Sequence, residues 1–489
     1  MRKLLQIVIF VLFCSVSVGQ NLDVCHFMRT SPFRHFNTPS CSSIYNGYVS
    51  LPGSMVHIGA NLGSIRYNNL FETDNYGYPV TLTATRFVNS LAKNNYLGVN
   101  SFVELWGFGF RVKNFYFTFD HRLRVNGDIR YSKALFGLPV YGNIFYLDKP
   151  ADMNISANVN AYQEIGFGIR HEINDKMSWG VRPKVLFGIA NLHARKLSAV
   201  LTTNPVNYGL SMTYDAEMQA AAIVPFSLTF DKEHGFDFNY SISSHNITSN
   251  IFKNLGFGVD LGFTYKPLPS INLSVGVLDL GYIYWKTSPT QMSSVMYDAG
   301  RFYDAGNLVF AGMTPDDIQM LMDGGKIGDL LDTFAYYFPL DVGPCKPYAT
   351  AIPMRVLFQG DYEFAKHHCV SAAAQFRFAS KYVQPSLTLA YDGCFFNSID
   401  VCVAYTLQRK AADNLGIAFG LNLGYLNVYF GTQNLVAAMS YQDASQITAT
   451  AGFAFNWGHY KNWREKNPKE KKNLKEKKSP KEEKKKGEG

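Results

Sequence analysis

Residues 415–425 read Leu-Gly-Ile-Ala-Phe-Gly-Leu-Asn-Leu-Gly-Tyr, and their alternation decides the fold. Leu415, Ile417, Phe419, Leu421, Leu423 and Tyr425 fall on one face of an extended chain, while Gly416, Ala418, Gly420, Asn422 and Gly424 fall on the other. Side chains of a strand point alternately to its two sides, so one face is apolar and the other small or polar. The pattern returns at 255–266, where Leu255, Phe257, Val259, Leu261, Phe263 and Tyr265 alternate with Gly256, Gly258, Asp260, Gly262, Thr264 and Lys266. It returns again at 370–378 and 399–408. A strand of about ten residues crosses a bilayer at a tilt of roughly 45°.

A soluble sandwich also alternates, with its apolar face turned inward. Composition decides between the two. Aromatic residues are 15% and charged residues 17%, against roughly 25% charged in soluble domains. Beyond the first residues no run of 18 apolar residues occurs, so no transmembrane helix is expected. Strands in lipid must pair every backbone group, which only a closed barrel achieves. The expectation is an all-β fold: a transmembrane antiparallel β-barrel over residues 47–460, of about 14 strands within a range of 12–16. Tyr282, Trp285, Tyr425 and Trp457 are expected in its interfacial girdles. The last strand, 447–457, sets Phe453, Phe455 and Trp457 on one face. It resembles the signal read by the barrel-insertion machinery, an expected partner during biogenesis alongside outer-membrane lipid.

The segments around the barrel read differently. Arg2 and Lys3, an apolar run from Leu4 to Val16, and Ser17-Val18-Gly19 form a signal peptide over 1–19. The expected localisation is therefore the outer membrane of a Gram-negative bacterium. Residues 20–46 are polar, aromatic and Pro-bearing, and are expected to plug the lumen or strap its periplasmic end. Residues 286–349 are expected as a long loop insertion. Within it Thr314-Pro315-Asp316-Asp317 starts a short helix, and a second runs over 327–334. Residues 461–489 carry 12 Lys, one Arg and 6 Glu, and are expected to be a disordered periplasmic tail that could meet peptidoglycan or a periplasmic protein. The tail carries +7 and the signal peptide +2 of a net +8, so the body is −1 and gives no reason to expect a nucleic-acid partner.

Six cysteines follow the signal peptide, and a Cys25–Cys41 bridge is expected. No spacing suggests a metal site, no nucleophile has a legible base, and no cofactor or enzymatic activity is expected. His367-His368 reads as a turn pair, and Asp231, Glu233 and His234 as a solvated turn. The paired glycines Gly107/Gly109 and Gly256/Gly258 are strand glycines rather than phosphate loops, since no helix follows. Alternation points Arg170, Arg182, Lys184, Asp260, Arg355, Arg377 and Asp400 into the lumen, where they either fill it with mutual salt bridges or line a polar path.

Three stretches carry a family resemblance: Phe36-Asn37-Thr38-Pro39-Ser40, Asn94-Asn95-Tyr96-Leu97 with Trp106-Gly107-Phe108-Gly109-Phe110-Arg111, and Asn427-Val428-Tyr429-Phe430-Gly431-Thr432-Gln433-Asn434-Leu435. Over residues 30–457 the chain resembles a family of Bacteroidota outer-membrane barrels known as a domain of unknown function. That family is in turn distantly similar to the long-chain fatty-acid transporter barrels. The transporters carry Asn-Pro-Ala in an N-terminal plug, whereas this chain has Asn37-Thr38-Pro39. The resemblance supplies no catalytic residue. The expected role is a channel or transporter for small or hydrophobic molecules. The alternative is a non-enzymatic platform subunit of an outer-membrane assembly or secretion complex.

Overall fold

The computed structural model describes residues 22–459 apart from 42, 74–78, 83, 148, 207–209, 232–234, 242, 295–301, 305–339, 380–381, 408–413, 441 and 443. The expected signal peptide, the Lys-rich tail, the two short helices expected within 305–339, and Glu233 and His234 all lie outside the described residues.

One antiparallel sheet dominates. Its strands, in chain order, are β1 (Tyr45–Ser50 and Met55–Asn61), β2 (Asn94–Val112), β3 (Phe115–Ser132), β4 (Ala151–Asn174) and β5 (Met177–Thr203). Then come β6 (Leu210–Ala222 and Leu255–Leu268), β7 (Ile271–Trp285, Thr290–Ser294 and Phe302–Asp304) and β8 (Leu340–Pro344, Tyr348–Ala351 and Met354–Ala365). The last are β9 (His368–Ala379), β10 (Tyr382–Phe395), β11 (Ile399–Leu407), β12 (Leu415–Leu423), β13 (Leu426–Thr432) and β14 (Gln446–His459). Collinear pieces are counted here as one strand. Each pairs with its successor, and β14 pairs back onto β1, with Gly47 opposite Trp457 and Val56 opposite Ala451. The ring is therefore closed.

Local chemistry explains the hairpins. At one end the strands turn within two or three residues, and Lys113, His367, Phe396, Asn397 and Gly424 take the positive φ that such turns demand. The chain's own ends, at Tyr45 and His459, lie on this side. Most connections at the other end are longer, and they include the helices Ala84–Ser90 and Ala134–Tyr141. An insertion between the two pieces of β6 carries a separate hairpin of Phe226–Asp231 and Gly235–Tyr240. The flanks of 286–349, expected as loop, instead continue β7 and β8. Pairing of Thr290–Ser294 with both β6 and β8 extends the sheet there, although the local alternation is weak.

The two faces sort by chemistry. Leu255, Phe257, Leu261, Phe263 and Tyr265 of β6 point outward, as do Phe419, Leu421 and Leu423 of β12. Tyr282, Tyr425 and Trp457 are also outward and exposed. Trp285 departs from the expected girdle: it is fully buried and donates Nε1–H to Thr350 Oγ1 at 2.8 Å. The reason is a bulge. Pairing between β6 and β7 shifts register after Val259–Leu280, and Asp279 occupies the extra position at φ 60°. One inserted residue exchanges the two faces of the strand beyond it, so Tyr282 and Tyr284 turn outward and Ile283 and Trp285 inward.

Candidate functional site

Residues 22–41, with 43 and 44, lie inside the ring and cross it. The segment starts with a 3-10 turn, Val24–His26, whose N-cap is Asp23, with the Cys25 amide donating to its carboxylate at 3.1 Å. A second turn, Pro32–Phe36, has Ser31 as its cap and proline in the first position, where a missing N–H costs nothing. Two short turns with extended links let 20-odd residues span a bore without a strand partner.

Side chains hold the segment to the wall. Thr450 of β14 donates to Asp23 at 3.0 Å, and His26 Nε2 meets Gln359 Oε1 of β8 at 2.8 Å. Arg29 bonds Asp392 of β10 at 3.2 Å and pairs with Glu363 of β8 at 3.2 Å. Thr30 donates to Asp400 of β11. Arg355 of β8 donates to Asn37 at 2.9 Å, while Arg170 of β4 and Ser178 of β5 donate to the Ser40 carbonyl at 2.8 and 3.1 Å. Apolar contact adds to this. Leu22, Val24, Phe27, Met28, Phe33 and Phe36 share one buried cluster with wall residues Ala373, Ala390, Ala404, Ala418 and Ala454. Burial contributes about 1.5–3 kcal/mol for each large side chain. Glycines make room at the closest points. A Cβ at Gly180 of β5 would run into the Pro39 carbonyl, and one at Gly262 of β6 would stand 2.8 Å from the Ser40 nitrogen.

Burial at this depth lowers the pKa of His26 and of His35 to about 4. Loss of hydration disfavours the charged imidazolium in each. Nearby Arg34 adds to the effect at His26, outweighing the bond from Gln359.

The other half of the wall is charged. Arg182 of β5 bonds Asp120 of β3, Glu164 of β4 at 2.6 Å and Asp260 of β6 at 2.8 Å. Lys184 reaches Asp260 and Asp279, each at 2.6 Å. Arg124 bonds Glu164 at 2.8 Å and Asp279 at 2.7 Å, and Arg122 also bonds Glu164. Arg355 joins through Asp279 at 3.0 Å. Arg122 lies over the Phe36 ring at 3.9 Å, joining this network to the inner segment. Charges so far from water are tolerated only when paired this densely.

Of the seven residues expected in the lumen, Arg182, Lys184, Asp260 and Arg355 share this network. Arg170 sits beside Ser40, pairing with Glu172 at 2.9 Å. Arg377 stands apart, bonding Asp128 of β3 across the bore at 2.7 and 2.8 Å. Asp400 belongs to the opposite wall, with Thr30 and Asn422. The sequence reading missed Asp120, Arg122, Arg124, Glu164 and Asp279. The first three sit at alternate positions of one strand, and parity alone would have shown them together. Asp279 gives no such signal, because the bulge breaks the alternation.

The Cys25–Cys41 bridge is not formed. The inner segment crosses the bore instead of folding back. Cys25 packs near β11, where Cys402 Sγ lies 3.6 Å from the Val24 carbonyl, and Cys41 is at the tight-turn mouth. At that mouth a cavity of about 340 Å³ opens between the inner segment and the wall. A smaller one of about 30 Å³ lies deeper, beside Asn37, Arg124 and Arg355. No group of His, Cys, Asp and Glu that could hold a metal occurs among the described residues.

Residues 39–433 match a family of unknown function, DUF5723, and the chain belongs to that family. No curated protein matches the chain. Among solved structures it is similar to the toluene transporter TodX of Pseudomonas putida, with 10% identity and a TM-score of 0.38 over 91% of this chain and 100% of that one. The toluene transporter TbuX of Ralstonia pickettii gives 8% identity and a TM-score of 0.40, over 86% and 92%. A FadL homologue of Pseudomonas aeruginosa gives 9% and 0.39, over 88% and 96%.

Proposed function

We propose that this member of the family is a non-enzymatic outer-membrane channel, exported through a cleaved signal peptide, that passes small or hydrophobic molecules along the seam between its inner segment and its wall. The outward belt of Phe, Leu and Tyr suits lipid, and the tight turns suit the periplasmic side. One observation carries the channel reading. The bore is filled by a separate segment seated through side chains, when a barrel with no need to open could be filled by its own wall. Side-chain hydrogen bonds contribute about 1 kcal/mol each, so such a seat can yield locally without unfolding the ring.

Single-channel recording in planar bilayers tests this. The full chain is expected to open rarely, in short events. Gly180→Val forces a branched side chain against the Pro39 carbonyl and is expected to raise the open probability at least tenfold. Silence in both proteins, each shown to be inserted, would contradict the channel and favour the platform role.

A further inference from the structure

The cavity of about 340 Å³ at the tight-turn mouth has a charge surplus of one sign. Three carboxylates border it, and each is already engaged. Glu172 accepts from Arg170 at 2.9 Å. Glu363 pairs with Arg29 at 3.2 Å. Asp361 accepts from Gln359 at 2.7 Å. The cations are not matched in the same way. Arg34 donates Nε–H to the His26 carbonyl at 3.1 Å, but its one ion pair among the described residues, to Asp361, is 3.9 Å long and beyond hydrogen bonding. Lys266 and Lys366 border the cavity with no ion pair and no side-chain hydrogen bond among the described residues.

A second observation is independent of charge. Thr38 and Asn272 border the same cavity, and the buried atoms Thr38 Oγ1 and Asn272 Oδ1 have no hydrogen-bond partner. A buried polar atom left without a partner costs about 1–3 kcal/mol, so two around one cavity mark a place that a polar guest would complete. The volume sits at the lower end of the roughly 300–1,000 Å³ typical of small-molecule sites. That is more than a lone ion needs.

We propose that this cavity is a binding site for a small organic anion carrying carboxylates. Arg34 offers its two terminal nitrogens to one carboxylate as a planar fork. Lys266 and Lys366, which also border the cavity, take up the remaining charge. Thr38 donates its hydroxyl hydrogen to the same guest, and Asn272 Oδ1, an acceptor, takes a hydrogen from a hydroxyl of a hydroxy acid such as citrate. Arg34 and Thr38 belong to the inner segment while Lys266 and Asn272 belong to β6 and β7, so the guest bridges segment and wall. The site does not depend on the channel reading, since it can hold its guest whether or not the bore ever opens.

Isothermal calorimetry on the full chain in detergent micelles, titrated with citrate, is the test. One saturable site is expected, weakened several-fold by 0.5 M NaCl because its rim is partly exposed. Arg34→Gln should weaken citrate binding about tenfold, the loss of roughly one charged hydrogen bond. Arg34 also bonds within the inner segment, so that variant could unseat it. Lys266→Gln touches only the wall and should still weaken binding several-fold, with heat-modifiable migration in gels unchanged. Absence of saturable citrate binding to the full chain would overturn the proposal, as would unchanged affinity in Lys266→Gln. A preference for spermidine over citrate would overturn it equally.

Discussion

The two halves of the barrel wall are built on opposite plans. From β3 to β5 the strands run 18, 24 and 27 residues, and their inward faces carry Asp120, Arg122, Arg124, Glu164, Arg182 and Lys184. From β11 to β13 they run 9, 9 and 7 residues, and their inward faces carry Ala404, Ala418, Gly416, Gly420 and Gly431. The short half has the length of a membrane-crossing strand. Nine residues at about 3.3 Å each, tilted by about 45°, rise roughly 21 Å, close to the roughly 25 Å apolar band of outer-membrane barrels. The long half projects well beyond it at the end of the longer connections. The inward chemistry follows what lies opposite. Small residues receive the Val24–His26 turn and Met28, whereas the charged half meets the inner segment at Phe36, Asn37 and Ser40 and pairs most of its charges within itself. One half is a seat and the other is a brace.

The largest expected effect lies in the brace. Glu164 is fully buried and meets Arg122, Arg124, Arg182 and, at 3.8 Å, Lys184. Glu164→Leu leaves several cations without their shared anion and should cost about 3–5 kcal/mol, read as a lower urea midpoint for unfolding from micelles. A loss below 1 kcal/mol would mean that the network does not brace the wall.

The next effect lies on the lipid face of the seat. Phe419 is 37% exposed on the outward side of β12. Phe419→Arg should cost about 2–4 kcal/mol if that face meets hydrocarbon. Its neighbour supplies the contrast and the smallest effect of the series. A Cβ at Gly420 would press hardest on Met28 Cε, at 2.6 Å, the free end of a flexible side chain, and would stand 3.3 Å from Asp400 Cβ. Gly420→Ser should therefore cost well under 1 kcal/mol, beneath the range for true core overpacking. Equal costs at the two positions would exchange or abolish the faces.

Between these lies a pH effect on the seat. His26 and His35 have pKa values lowered to about 4 while the segment is seated, and near 6.5 when it is free in water. Above pH 6.5 both states are neutral and seating is at full strength. As pH falls from 6.5 toward 4 the released segment gains protons that the seated one cannot. Seating then weakens by up to about 1.4 kcal/mol per pH unit for each histidine. Channel open probability should rise between pH 7 and pH 5, and a flat profile would mean that these histidines stay seated when the bore opens.

The fold was legible in the sequence wherever alternation is unbroken, as in 255–266 and 415–425, because parity reports facing without reference to any neighbour. It failed at Asp279, where one inserted residue reverses parity and carries Trp285 inward. The candidate site was legible only in part. Parity turns Arg182, Lys184 and Asp260 inward, but nothing local says that Arg377 meets Asp128, 249 positions away, or that Thr30 meets Asp400. Those partners are set by ring closure and by the path of the inner segment, and both are long-range facts. The cysteines failed for the same reason: proximity in sequence suggested Cys25 and Cys41, and the crossing of the bore separates them.

The most direct test of a lipid-embedded ring with an occupied interior uses its own tryptophans. Trp106 is 45% exposed on the outer face of β2, while Trp285 is fully buried on the inner face of β7. Single-tryptophan variants retaining one or the other, reconstituted in vesicles whose acyl chains carry bromine, report lipid contact as fluorescence quenching. Strong quenching of Trp106 with little or none of Trp285 is the predicted result. Equal quenching of both, or quenching of Trp285 alone, would contradict the assignment of faces on which the account rests.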